Sequence, residues 1–278
     1  MLKIPQSHPI SSNYWVIMER LNKMKLPTLL EKNLNNCSET FYVDDTNSYT
    51  YQQALEQVKK FIKVLTKIKK KSGQEKLRVA VITDKSFLGY CVILAIIISG
   101  NIWIPIDKGT PVERRQVMLR KVIPHVIFQD IGYPSDSDYQ TLGLIEEEGG
   151  SWFWYVNNDV PHAQDSMTHQ DTCMIFFTSG STGIPKAVQI SATGVTIFIQ
   201  NITAAINFGK GQVFGDYHST SFVISVPIIM IAVSCQGTLC PAMNLQEQVL
   251  PNSSMNINNV STLITVPSTM KRILKGIE

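Results

Sequence analysis

The sequence predicts an α/β protein of two stacked units with mainly parallel sheets, and three features predict it. Short apolar runs alternate with helical patterns from Tyr49 to Gln129. The same beat resumes at Cys173 and continues to the end of the chain. Between the two runs, Asp130 to Gly150 is polar, turn-rich and acidic in its middle, and reads as a connecting segment.

Each element follows from its own pattern. Tyr49-Thr50-Tyr51 leads into apolar positions at Ala54, Leu55, Val58, Phe61, Ile62 and Leu65, the three-four spacing of an amphipathic helix, with Thr50 placed to cap it. Leu77 to Thr83 reads as a buried strand, Phe87 to Ile98 as a buried helix stopped near Gly100, and Asn101 to Ile106 as a second strand. A helix over Val112 to Val122, a break at Pro124 and a strand at His125 to Gln129 continue the series. Trp152 to Val156 is a candidate short strand. The second run opens with a strand at Cys173 to Phe177, a hydroxyl-rich loop and a strand at Ala187 to Ile190. A helix from Thr193 to Ile206, strands at Val213 to Tyr217, Gly237 to Pro241 and Ser261 to Val266, and a helix opened by Pro267 and running to Ile277 complete it.

With 278 residues, 44% hydrophobic and 17% charged, the chain can bury a sizeable core. A net charge of +3, without a basic stripe interleaved with aromatics, argues against a nucleic-acid partner. The densest basic run, Lys67 to Lys71 with Lys76 nearby, falls at the negative end of the first amphipathic helix, where its charge is favourable. Five cysteines with no CxxC pair indicate reduced, cytoplasmic usage, and Met1 to Ile10 lacks a secretory signal pattern. The apolar stretches Tyr90 to Ile98 and Phe222 to Val233 are too short or interrupted for membrane spans and read as core.

Chemistry concentrates in Thr178-Ser179-Gly180-Ser181-Thr182-Gly183-Ile184-Pro185-Lys186, which follows a strongly apolar strand. In an α/β fold that places its polar atoms at one end of a sheet, where ligands bind. Glycines admit a polyanion close to backbone N–H groups, hydroxyls add donors, and a lysine supplies a mobile cation, a composition suited to a triphosphate tail. It is not a Walker A loop, because Lys186 is followed by Ala187 rather than Ser or Thr.

The whole string resembles the signature loop of the adenylate-forming superfamily, which includes acyl-CoA synthetases, luciferases, peptide-synthetase adenylation domains and D-alanine carrier-protein ligases. Leu94 to Asp107, ending in Pro105-Ile106-Asp107, is similar to the family's helix-to-strand stretch, and Tyr49-Thr50-Tyr51-Gln52 to its helix entry. Val188-Gln189-Ile190-Ser191 is nearest to the D-alanine carrier-protein ligase and peptide-synthetase adenylation branch. The resemblance runs from about Leu26 to the last residue. It implies that Thr178, Ser179, Gly180, Ser181, Thr182, Gly183 and Lys186 bind the phosphates of ATP, with Mg2+ held mainly by phosphates and water. It assigns no catalytic and no metal-ligating side chain here. Members of the family activate a carboxylic acid as an acyl-adenylate, which a carrier-protein or CoA thiol captures.

Three departures stand against that pattern. Ala187 occupies a place usually held by Gly, which would be strained if the backbone there needs a positive φ. Val223 stands where amino-acid-activating members place an Asp for the substrate's α-ammonium, so the expected acid lacks an α-amino group. Asp216 and His218 just upstream would line the pocket if the register shifts; the other reading of His218 is a strand-end histidine satisfied by local hydrogen bonds. Thirdly, the sequence holds no Tyr-Gly-x-Thr-Glu, no Thr-Gly-Asp and no C-terminal lid subdomain with its lysine.

The resulting expectation is an adenylate-forming large domain, C-terminally incomplete. It comprises a lead-in over residues 1–39, a first α/β subdomain over 40–165 and a second over 166–278 with the phosphate loop. The last helix would leave an apolar face for a partner. Two functional readings stay open: part of an AMP-forming ligase completed by a second chain or downstream frame, or a truncated remnant or nucleotide-binding module without turnover.

Overall fold

The computed structural model describes residues 25–35, 38–83, 85–130, 140–147, 150–156, 169–179, 184–206, 208–209, 211–249, 251, 255 and 257–275. In chain order the elements are α1 (Leu26–Asn35), β1 (Thr40–Val43), β2 (Ser48–Thr50), α2 (Tyr51–Ser72), β3 (Arg78–Thr83), α3 (Phe87–Ile98), β4 (Ile102–Asp107), α4 (Val112–Val122) and β5 (Val126–Asp130). They continue with β6 (Gln140–Glu147), β7 (Gly150–Val156), β8 (Thr172–Ser179), β9 (Pro185–Ser191), α5 (Ala192–Ala205), β10 (Val213–Asp216), α6 (Ser225–Ser234), β11 (Thr238–Pro241), α7 (Leu245–Val249), β12 (Thr262–Leu263) and α8 (Pro267–Lys275).

The strands form two sheets, ordered β6-β7-β5-β3-β4-β8-β9 and β12-β10-β11-β1-β2. Parallel pairing holds the centre of each, with antiparallel strands at both edges of the larger sheet and at the β2 edge of the smaller. Chain order and sheet membership diverge. β8 and β9 close the sheet begun by β3, β4 and β5, whereas β1, from the start of the chain, pairs against β11 with β2 outside it.

Two wholly apolar helices explain the arrangement. α3 is buried at every position from Phe87 to Ile97, and α6 from Val226 to Val233 except at Pro227. A helix apolar on all sides needs cover on all sides. Both lie in one core with Val79, Val81, Trp103 and Phe176 of the larger sheet and Phe41, Phe214 and Leu239 of the smaller. A second core forms on the other face of the larger sheet, where α4 sets Met118, Leu119 and Val122 on Ala80, Ile82, Ile104 and Ile127. The two apolar stretches weighed as membrane spans are these core helices, and among the described residues no helix is long and apolar enough to cross a membrane.

Thr50 caps α2 in a full capping box with Gln53, and Gly73 ends the helix at φ 66°. Pro227 falls in the first turn of α6, where its missing N–H has no intrahelical partner to lose. One reading is corrected. Within the segment taken as connection, Gln140–Glu147 is a strand, paired antiparallel with β7. It is an edge strand, and edges tolerate the charge that made its sequence look like a loop. The strand expected at Ser261 to Val266 is confined to Thr262–Leu263, also at an edge.

Candidate functional site

The hydroxyl-rich segment runs from the end of β8 to the start of β9, two strands that pair antiparallel as a hairpin. Thr178 pairs with Lys186 and Ser179 with Pro185, so both ends of the loop are fixed by ladder hydrogen bonds. Thr178 and Lys186 are exposed and Pro185 is buried. Lys121, at the end of α4, donates from Nζ to the Pro185 carbonyl at 3.1 Å and ties the hairpin to the sheet's outer helix. Gly180, Ser181, Thr182 and Gly183 lie outside the described residues. Positive φ values at non-glycine positions among the described residues fall at Lys85, Ile123, Gln236 and Asn259. Ala187 is not among them; it pairs with Phe177 in the regular ladder, so its Cβ costs the backbone nothing.

The hairpin opens at the C-terminal edge of the parallel strands. Trp103 of β4 stands opposite Met174 of β8, and counting four residues along each brings Asp107 level with Thr178. Thr83, ending β3, is opposite Asp107. The segment after β10 reaches the same edge from the other sheet. Asp107 donates its backbone N–H to Ser221 Oγ at 2.6 Å, and its carboxylate accepts from Ser219 Oγ and from the Gly109 N–H. A crevice of about 260 Å³ opens between the sheets here, lined by Lys85, Asp107, Ser219, Thr220, Asn244 and Gln248 among others. The hydroxyl of Thr220 is buried and has no hydrogen-bond partner among the described residues.

Sequence reasoning missed the charged cluster behind this edge. Lys85 is 3% exposed and Asp216 fully buried. Lys85 Nζ meets Asp216 Oδ1 at 2.7 Å and the Asp216 carbonyl at 2.8 Å, while Tyr90 donates its hydroxyl to Oδ2 at 2.8 Å. Both carboxylate oxygens are thereby engaged. Burial lowers the Lys85 pKa and the Asp216 charge opposes that; burial and the same charge hold the Tyr90 phenol well above its usual range. Lys85 keeps φ at 78°, a left-handed conformation that a lysine holds only when its surroundings insist. Nothing in the sequence marks it, because a charged residue between a strand and a helix is ordinary loop chemistry.

Asp216 is therefore no open pocket residue. His218 is hydrogen-bonded as the second reading has it but not locally, its Nε2 lying 3.1 Å from Oγ1 of Thr265, 47 residues along the chain. Burial first, then Lys85, pushes its pKa below the ordinary histidine value. Val223 sits in the turn before α6 and is 52% exposed, beside an equally exposed Phe222.

Comparison with known proteins agrees with this architecture. A family model described as "AMP-binding enzyme" matches residues 30–278. An L-proline--[L-prolyl-carrier protein] ligase of Streptomyces coelicolor is 27% identical over 69% of this chain and 40% of its own length. A D-alanine--D-alanyl carrier protein ligase of Bacillus licheniformis is 28% identical over 63% of this chain and 35% of its own. The chain thus spans less than half the length of these curated relatives. Among solved structures, IdnL1 superposes with a TM-score of 0.76 at 16% identity, covering 94% of this chain and 53% of that one, which supports the fold.

Proposed function

The chain belongs to the AMP-binding enzyme family, and from that premise we propose that it holds the phosphates of ATP in the hairpin loop and serves the activation of a carboxylic acid as its adenylate. The observation that carries this reading is the hairpin itself: its two ends are fixed in register at the C-terminal edge of the larger sheet, level with Asp107. Thr178, Ser179, Gly180, Ser181, Thr182 and Gly183 would offer hydroxyl and backbone donors, and the exposed Lys186 would neutralise phosphate charge. When bound, ATP supplies the electrophilic α-phosphorus that the acid's carboxylate attacks, with pyrophosphate leaving. Among the described residues no three side chains of metal-ligating type converge. Mg2+ would arrive on the triphosphate, held by phosphate oxygens and water.

The acid would lie against the Phe222–Val223 turn and lack an α-amino group. Val223 offers no counter-charge, and both oxygens of Asp216 are already taken by Lys85 and Tyr90. A buried ammonium without a partner is too costly to hold. A carrier-protein thiol is the acceptor that the relatives' names favour. The remaining machinery would come from a second chain or a further segment, for which the exposed Met270 and Leu274 of α8 offer apolar surface. A reducing, cytoplasmic setting fits the free cysteines among the described residues, Cys91, Cys173, Cys235 and Cys240.

The first test is equilibrium binding of Mg-ATP to the 278-residue chain. Thr178→Ala and Lys186→Ala should each weaken it about tenfold or more, the loss of one charge-assisted contact. Affinity unchanged in both variants sinks the assignment of the loop. ATP–pyrophosphate exchange after supplying the remaining part then separates a ligase from a nucleotide-binding module. Saturable binding of a free α-amino acid would overturn the substrate reading alone.

A further inference from the structure

We infer that the outer face of α2 is a docking surface for an acidic protein segment. α2 carries Lys59, Lys60, Lys63, Lys67, Lys69, Lys70 and Lys71, and all except Lys69 are exposed. At 3.6 residues per turn the six exposed lysines fall within an arc of about 120° and extend along about 18 Å of helix. The buried residues Tyr51, Ala54, Val58, Phe61 and Leu65 occupy the opposite face.

Solvent exposure explains a polar face but not this one. An exposed helix face ordinarily alternates acids with bases, because opposite charges three and four residues apart stabilise a helix and like charges destabilise it. Here Lys59 and Lys63, Lys63 and Lys67, and Lys67 and Lys71 are like-charged pairs at that spacing, and Lys67 and Lys70 stand three apart. Lys59, Lys63, Lys67, Lys70 and Lys71 make no ion pair among the described residues; Lys60 shares the face and is engaged within the molecule. The helix dipole favours cations only in the last turn, which accounts for Lys69, Lys70 and Lys71. Lys59 and Lys63 lie too far from that end to gain from it. The face is thus held in mutual repulsion that a polyanion would relieve.

The form of the stripe selects the partner. The apolar side of α2 is consumed by the core, so the helix cannot insert into a bilayer. Neither arginine nor an exposed aromatic stands in the stripe, so it lacks the planar forks and stacking surfaces that read nucleic acid. Exposed carboxylates close it at both ends, Glu56 before Lys59 and Glu75 after Lys71. A lipid sheet or a nucleic-acid track would run into both. A segment of three helical turns bearing carboxylates at matching spacing would fit between them.

The test takes the full chain and its Lys59/Lys63/Lys67/Lys70/Lys71→Gln variant, all substitutions being at exposed positions. Three probes are titrated at low and at physiological salt: a labelled helical peptide with glutamates at successive i, i+4 positions, phosphatidylserine-containing vesicles, and duplex DNA. The expected result is peptide binding that weakens with salt and falls about tenfold or more in the variant, with vesicles and DNA bound more weakly than the peptide. The variant should also keep the helix and match or exceed the parent's melting midpoint at low salt, the difference closing at high salt. Peptide binding indifferent to the substitutions, no peptide binding at low salt, or tighter binding of vesicles or DNA overturns the assignment.

Discussion

At the scale of single residues, the Lys85–Asp216–Tyr90 cluster decides most. It joins the loop after β3 to the last residue of β10 and fastens one sheet to the other with desolvated charges. Removing one member leaves the other charged and buried, so Asp216→Ala should cost about 3–5 kcal/mol in denaturant unfolding. The paired change Lys85→Met with Asp216→Asn should cost clearly less than the two single changes added together; simple additivity would mean the charges act independently. His218 gives a pH signature. Its pKa is lowered in the folded chain, so below the ordinary value of 6.5 the unfolded chain binds more protons. Its contribution is complete above that value and is lost as pH falls through the folded pKa. Stability should therefore decline on acidification below about pH 6.5, and less steeply in His218→Gln. Parallel profiles for the two proteins would refute this.

Among the elements, the two apolar helices and the hairpin behave differently. α3 and α6 each touch core on every side, and truncating Ile93 or Ile229 to Ala should cost about 2–5 kcal/mol, as cavity formation in a close-packed interior does. Thr50→Ala removes the hydroxyl half of a capping box on an exposed helix start and should cost about 1 kcal/mol, a difference visible in the chemical-denaturation midpoint. The hairpin draws its order from ladder pairing and from Lys121. A loop held at both ends loses less freedom when a ligand arrives than a loop tied at one end.

For the whole molecule, the layered arrangement predicts where the chain opens. Amide hydrogen exchange should be slowest across α3 and α6, at rates set by global unfolding, and fast at the edge strands β6 and β12. Fast exchange in α3 would contradict a shared core between the sheets. The sequence by itself determined the α/β class, the extents of α3 and α4, the cap at Thr50 and the family, because each is written in local spacing or in contiguous strings. Only the tertiary structure decided which sheet each strand joins, that Gln140–Glu147 pairs at an edge, that Ala187 is unstrained, and that Asp216 is consumed by Lys85 and Tyr90. The Asp216 outcome depends on partners 126 and 131 residues away along the chain, and local pattern is silent about contacts that only packing brings together.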